Sequence, residues 1–255
     1  MSDILEISRE GRVLRVALNR PGKRNALNAG LCAAIVDRLN AADGDPSVGA
    51  ILLCANGTAF CAGMDLAELG VVGTEEINRA QEALFTIGSR LSKPIVAVVN
   101  GPALGGGAGL VANCHIVVAG EQASFGLTEI RLGLWPFLVY RAVSAALGER
   151  RTAELSLTGR VFGPAEAREM GLVHEVSSDP EAAAMKTASA IASFSPTAIA
   201  TGLRLVRESR GLSFDEAGEY AKRLRNVVFD SADFKEGIRA FLEKRPPKWP
   251  SLLGA

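Results

Sequence analysis

"PIVAVVNGPALGGGAGLVANCHIVVAG" spans residues 94–120 and contains no Asp, Glu, Lys or Arg. Its length is that of a membrane span, but its interior is not. Asn100, Gly101, Pro102, Asn113 and His115 interrupt the run, and Gly105, Gly106 and Gly107 stand consecutively in its middle. Two buried strands, 94–100 and 115–120, joined by a short helix account for it better. Apolar runs of this kind mark strands covered on both faces, so the stretch predicts an α/β fold.

The flanking sequence extends that pattern. "VLRVALN" at 13–19 alternates as a strand does, "GAILLCA" at 49–55 is another buried run, and "LVHEV" at 172–176 reads as a further strand. Between them, "NALNAGLCAAIVDRLNAAD" at 25–43 is apolar at helical spacing through Leu27, Leu31, Ala34, Ile35 and Leu39. "TEEINRAQEALFTIGSRLS" at 74–92 predicts an amphipathic helix. Alternating strands and helices define the α/β class. Beyond about residue 178 only helix signals remain. Ser195 precedes a first-turn Pro196. Ser213 with Glu216, and Asp233 with Glu236, have capping-box spacing. The expected layout is a core over 1–195 and a helical region over 196–255.

Composition narrows the function. The chain has 255 residues, with 28 Lys plus Arg against 28 Asp plus Glu. A zero formal charge gives no electrostatic reason to expect nucleic acid or an anionic membrane as partner. The four cysteines, Cys32, Cys54, Cys61 and Cys114, have no C-x-x-C spacing, and there are two histidines, His115 and His174. No metal site is expected. The opening "MSDILEISREGR" carries charges where a signal peptide needs an apolar segment. A soluble, cytoplasmic protein with reduced thiols is expected.

Consecutive glycines are costly to order, so the run at 105–107 calls for a use. It is not a nucleotide loop. G-x-x-x-x-G-K-[ST] is absent, and a G-x-G-x-x-G frame from Gly105 fails at Leu110. Glycines at a helix start can instead leave backbone N–H groups bare beside a negative oxygen. "GTAFCAGMDLAEL" at 57–69 puts a second such glycine, Gly63, after the buried strand at 49–55. Two loops of this kind can supply two donors to a carbonyl that becomes an enolate. Close packing of helix on strand is the alternative reading of the same glycines.

Together these segments resemble the enoyl-CoA hydratase/isomerase, or crotonase, superfamily. "LNRPGKRNALN" (18–28), "GTAFCAGMDLAEL" (57–69), "KPIVAVVNGPALGGGAGL" (93–110), "ASFGLTEIRLGL" (123–134), "LTGRVFGPAEAREMGLVHEV" (157–176) and "EGIRAFLEKR" (236–245) look like its segments in order. The resemblance implies a spiral of ββα units with a helical C-terminal region that builds homotrimers or homohexamers. It implies an acyl-CoA thioester as substrate and no metal or redox cofactor, CoA being part of the substrate. By position, the N–H groups of Met64 and Gly106 form the oxyanion hole. CoA contacts fall on Arg24, Ala26, Ala62, Asp65 and Leu66, with Phe241 and Lys244 reaching the CoA of a neighbouring subunit.

The same resemblance exposes a departure. Hydratases of the family carry two glutamates; the second is Glu129 here, but the first falls on Gly109. One base suffices to move a proton between two carbons, so the chain is expected to favour Δ3,Δ2-enoyl-CoA isomerisation through Glu129. Hydration of 2-enoyl-CoA is the alternative, as is a weakly catalytic acyl-CoA-binding protein. The acid of dienoyl isomerases, and the nucleophilic aspartate of aryl-CoA dehalogenases, fall on Phe137. Bulky Phe137, Leu138, Val139 and Tyr140 stand in a loop where many hydratases have a glycine pair, and are expected to narrow or reshape the acyl pocket. From composition alone, Glu129 reads as an exposed partner of Arg131. Desolvation would raise its pKa if it is buried, and an inward Arg131 would oppose that. Asp65 reads as a helix-start residue and Glu68 as a solvated charge. The thiols read as buried and inert, and no G-x-S-x-G elbow is present.

Overall fold

The computed structural model describes residues 4–68 and 72–253. Leu69, the last residue of the second family-like segment, lies outside them. The strands are β1 (Leu5–Glu10), β2 (Val13–Leu18), β3 (Ala50–Ala55), β4 (Ile95–Val99), β5 (Pro102–Leu104), β6 (Ile116–Gly120), β7 (Ser124–Gly126), β8 (Val161–Phe162) and β9 (Glu175–Ser177). The α-helices are α1 (Ala29–Gly44), α2 (Thr74–Ile87), α3 (Gly106–Ala112), α4 (Phe137–Leu147), α5 (Glu149–Thr158) and α6 (Pro164–Met170). They continue with α7 (Pro180–Ala192), α8 (Pro196–Glu208), α9 (Phe214–Asp230), α10 (Ala232–Leu242) and α11 (Pro250–Leu253).

Two sheets form, in the orders β1-β2-β3-β4-β6-β9 and β5-β7-β8. In the large sheet only β1 and β2 are antiparallel; β2, β3, β4, β6 and β9 run parallel. The chain lays a strand in the large sheet and then a short piece in the small one: β4 then β5, β6 then β7. Isolated bridges continue the small sheet backwards, pairing Cys61 with Ala103 and Leu27 with Met64. Each turn of the chain therefore advances one strand along both sheets, with helices between turns. This is the expected spiral.

Burial follows from that geometry. Every residue of β4 is buried, because helices cover both faces. Ile51, Leu53, Ile95, Ala97 and Val99 face the main core with α1, Leu84 and Phe85 of α2, and Val139 of α4. The alternate residues Leu52, Cys54, Val96 and Val98 meet Ala184, Ala188 and Ala192, the small-residue stripe of α7. Spacing of four puts those alanines on one helix face and lets α7 lie close to the sheet.

Local signals explain most boundaries, and some differ from expectation. α1 begins at Ala29, not at 25, because the Asn28 side chain accepts from Leu31 N–H and Arg24 and Asn25 are left-handed. α2 ends at Ile87, short of residue 92. The strand expected at 172–176 lies at Glu175–Ser177. Ser195 caps α8, and Ser213 with Glu216 forms a full capping box on α9. The Asp233–Glu236 box does not form. Ser231 caps α10 instead, accepting from Phe234 N–H at 3.1 Å. Asp233 is buried and accepts from the hydroxyls of Ser195 at 2.6 Å and Ser251 at 2.7 Å. Glu236 holds Arg245 at 2.6 Å and accepts from Lys248 N–H at 2.8 Å. These carboxylates tie α8, α10 and α11 together. Among the described residues, no helix is long and apolar enough to cross a membrane.

Candidate active site

The small sheet builds the site. Leu104 of β5 pairs with Gly126 of β7, and Gly105 N–H donates to Gly126 O at 2.8 Å. The residues that follow each strand are therefore side by side: Gly105 and Gly106 on one, Glu129 on the other. Gly105 has φ 52° and ψ −117°, dihedrals like those of the first central residue of a type II′ turn, where glycine carries no Cβ penalty. A Cβ there would stand 2.9 Å from Glu129 Oε1. The carboxylate packs directly on this bare backbone.

The second loop meets the first. Cys61 N–H donates to Pro102 O and Leu104 N–H to Cys61 O, each at 3.0 Å. A Cβ on Gly63 would lie 3.7 Å from Gly106 N. Met64 follows Gly63, and neither its N–H nor that of Gly106 is spent on another backbone group among the described residues. Gly106 opens α3, where first-turn donors have no partner within the helix. The structure thus brings Met64, Gly106 and Glu129 around one point.

Glu129 opens a short 3₁₀ turn (Glu129–Leu132) that ends at left-handed Gly133. Its Oε2 is buried and is the one buried side-chain N or O among the described residues without a hydrogen-bond partner. Such an orphan asks for a functional reason. Burial pushes the carboxyl above its ordinary value of 4.5, offset in part by a backbone hydrogen bond. Arg131 does not oppose this. It is exposed, lies along Gly159, and pairs with no carboxylate among the described residues.

Five of the seven residues assigned to CoA by position gather beside the Met64 loop. Ala62 N–H donates to Arg24 O at 3.0 Å, Leu27 N–H to Gly63 O at 2.8 Å, and Asp65 N–H to Leu27 O at 3.0 Å. Arg24, Ala26, Ala62, Asp65 and Leu66 therefore share one layer. Asp65 starts a 3₁₀ turn, accepting from Ala67 N–H at 3.3 Å. Glu68 is not a solvated charge: it is half-buried and accepts from Ala29 N–H at 2.9 Å, at the start of α1. Phe241 and Lys244 join this layer through no hydrogen bond or ion pair among the described residues. Phe241 is 82% exposed at the end of α10, and Lys244 occupies a left-handed turn just beyond.

Sequence reasoning passed over two residues here and misplaced a third. Arg20 binds Asp65 at 2.9 Å and the Ala26 carbonyl at 2.5 Å, stapling both strands of the layer. Asn25, fully buried, accepts from Arg20 N–H at 2.8 Å and donates to Asn56 O and Ala59 O, each at 2.9 Å. Its place inside the motif at 18–28 was the available signal. Val139 is the third. The segment at 137–140 is the first turn of α4, not a loop, and Phe137 points outward, 72% exposed. Val139 instead turns inward against Gly109. Tyr140 is half-buried with its ring 6.2 Å from that of Trp135.

The thiols are unsuited to nucleophilic work. Burial pushes Cys32, Cys61 and Cys114 up to about 12 and Cys54 to about 11. His115 is not available to Cys114, because its Nδ1 accepts from Ile95 N–H at 3.0 Å. His174 does the same for Val117 N–H at 3.1 Å.

A partly unpartnered carboxylate beside backbone N–H groups that meet no other backbone group among the described residues is the kind of arrangement that can polarise a carbonyl and move a proton. The family model for enoyl-CoA hydratase/isomerase matches residues 8–251. The chain belongs to this family of acyl-CoA enzymes. It is similar to the enoyl-CoA hydratase EchA19 of Mycobacterium tuberculosis, 36% identical over 261 residues covering 95% of each chain. It is also similar to the 2,3-dehydroadipyl-CoA hydratase of Escherichia coli, 35% identical over 251 residues covering 97% of this chain and 98% of the other. The crystal structure of an enoyl-CoA hydratase from Mycobacterium smegmatis superposes with a TM-score of 0.92 at 30% identity, covering 97% of this chain and 99% of that one.

Proposed function

We propose that this chain hydrates 2-enoyl-CoA thioesters with Glu129 as its one acid–base group. The observation that carries the reading is the Glu129 carboxylate packed against Gly105 with its Oε2 buried and unpartnered among the described residues, beside the N–H groups of Met64 and Gly106, which meet no other backbone group among those residues. The names of its relatives support hydration over the isomerisation expected from sequence. In this reading the thioester oxygen lies between the two N–H donors. Glu129 takes a proton from water as the water oxygen bonds to C3. The π electrons move onto the thioester oxygen, and Glu129 returns a proton to C2. The reaction is redox-neutral, and the carboxylate is regenerated.

Isomerisation is the second reading, favoured by the absence of any side chain at Gly109. Glu129 would take a proton from C2 of a 3-enoyl-CoA and return it at C4, moving the double bond to C2. Assays of purified protein on matched 2-enoyl-CoA and 3-enoyl-CoA separate the two. Hydration of the first should exceed isomerisation of the second; the reverse order would reject hydration as the main activity. No turnover of either substrate, with acyl-CoA still bound, would support a binding protein.

The C-terminal helices support a homotrimer or homohexamer. Phe214, Phe241 and Leu242 are 94%, 82% and 73% exposed on or beside them, an apolar content that a lone chain leaves in water. Light scattering should give three or six chain masses; a monomer would reject this.

A further inference from the structure

Gly109 lies on α3 one turn beyond Gly105, facing α4. A Cβ at position 109 would stand 2.3 Å from Val139 Cγ1, 2.6 Å from Val139 Cβ and 3.4 Å from Phe85 Cδ1. A contact to Val139 Cβ is fixed by the helix backbone, so no rotamer of Val139 relieves it. The Phe85 ring spans the same side, its Cζ lying 3.2 Å from where a Gly106 Cβ would be. Val139 and Phe85 are 3% and 5% exposed. The face of α3 beside Glu129 is thus closed by apolar groups carried on α2 and α4.

We propose that Val139 is the specificity-determining residue that confines proton transfer to Glu129. It fills the space a second acid–base side chain on α3 would need, and the atoms nearest position 109 among the described residues are apolar. Val139 touches no reacting atom in this account. It sets the ratio of hydration to isomerisation by what it excludes, and the proposal rests on the enoyl-CoA reading above.

Two readouts test it. The first needs no substrate. Gly109→Ala in the wild-type background should lower the melting midpoint by about 3–10 °C, the usual scale for overpacking a core in a chain of this size. In a Val139→Gly background the same change should cost little or nothing. Equal losses in both backgrounds would overturn the seal between the two positions. The second readout is the hydration-to-isomerisation ratio on matched substrates. The double variant Gly109→Glu with Val139→Gly should raise it at least tenfold over Val139→Gly alone, whereas Gly109→Glu alone should not. An unchanged ratio in a folded double variant that binds acyl-CoA would overturn the proposal, as would a full shift in Gly109→Glu alone. If the wild type turns over neither substrate, the enoyl-CoA reading fails, while the melting comparison still decides whether Val139 seals position 109.

Discussion

Glu129→Gln is expected to lower kcat by about 10²–10⁴-fold, the range general acid–base groups supply, with acyl-CoA affinity changed by no more than a few-fold. Glutamine keeps the shape packed on Gly105 but cannot take up or return a proton. The pH dependence should point to the same group. Burial holds the carboxyl above its ordinary value of 4.5, so the base form is lost as pH falls through a value higher than that of a free glutamate. Wild-type kcat/KM should fall with it. Stability should move the opposite way. A carboxyl whose pKa is raised by folding favours the folded state below 4.5 and loses that contribution as pH rises through the folded value. Above its folded value the ionised Glu129, with Oε2 unpartnered among the described residues, is a cost to the fold. Glu129→Gln should therefore melt higher than wild type while being nearly inactive. Activity within tenfold of wild type would remove Glu129 from the chemistry.

Gly105→Ala should be the second most damaging single change, through the same carboxylate from the other side. With φ 52° and ψ −117°, an alanine here carries roughly 1–3 kcal/mol of backbone strain. Its Cβ would also sit 2.9 Å from Glu129 Oε1 and 3.3 Å from Cδ, so the carboxylate must shift or the turn must open. A displacement of about 1 Å at a catalytic group can cost about 10²-fold in rate. A fall in kcat of about that size is expected, with a modest loss in melting temperature. Steady-state kinetics and thermal melts on the folded variant would check both. A variant that loses stability but keeps kcat would show that Glu129 is positioned independently of Gly105.

The buried strands were legible because a strand covered on both faces must be apolar throughout, as Ile95–Val99 is. Glu129, Met64 and Gly106 were proposed because each sits in a segment with a family pattern, and the loops that carry them lie close together. What stayed hidden depends on short elements or on contacts between distant ones. β5, β7 and β8 have two or three residues each, too few for an alternation to register, and they position the whole site. β1 was overlooked because its residues are mostly polar and exposed. Asp233 and Glu236 had the spacing of a cap but are consumed by Ser195, Ser251 and Arg245. Nothing in the local sequence shows that Glu68 accepts from Ala29 N–H or that Val139 lies over Gly109. Both follow from how α1 and α4 dock, which is decided by the core as a whole.

Asn25 carries a further consequence. Its amide holds Arg20, Asn56 and Ala59, and from those points the chain runs directly into the layer of Arg24 and Asp65 and into the loop that ends at Met64. One planar group of fixed reach therefore spaces the expected landing place of the nucleotide end of a CoA ester from the loop proposed to polarise its carbonyl. The interval is fixed before any ligand arrives. In the proposed function, a thioester that fits at one end would be delivered in register at the other, so that recognition of the carrier would become alignment of the bond to be activated.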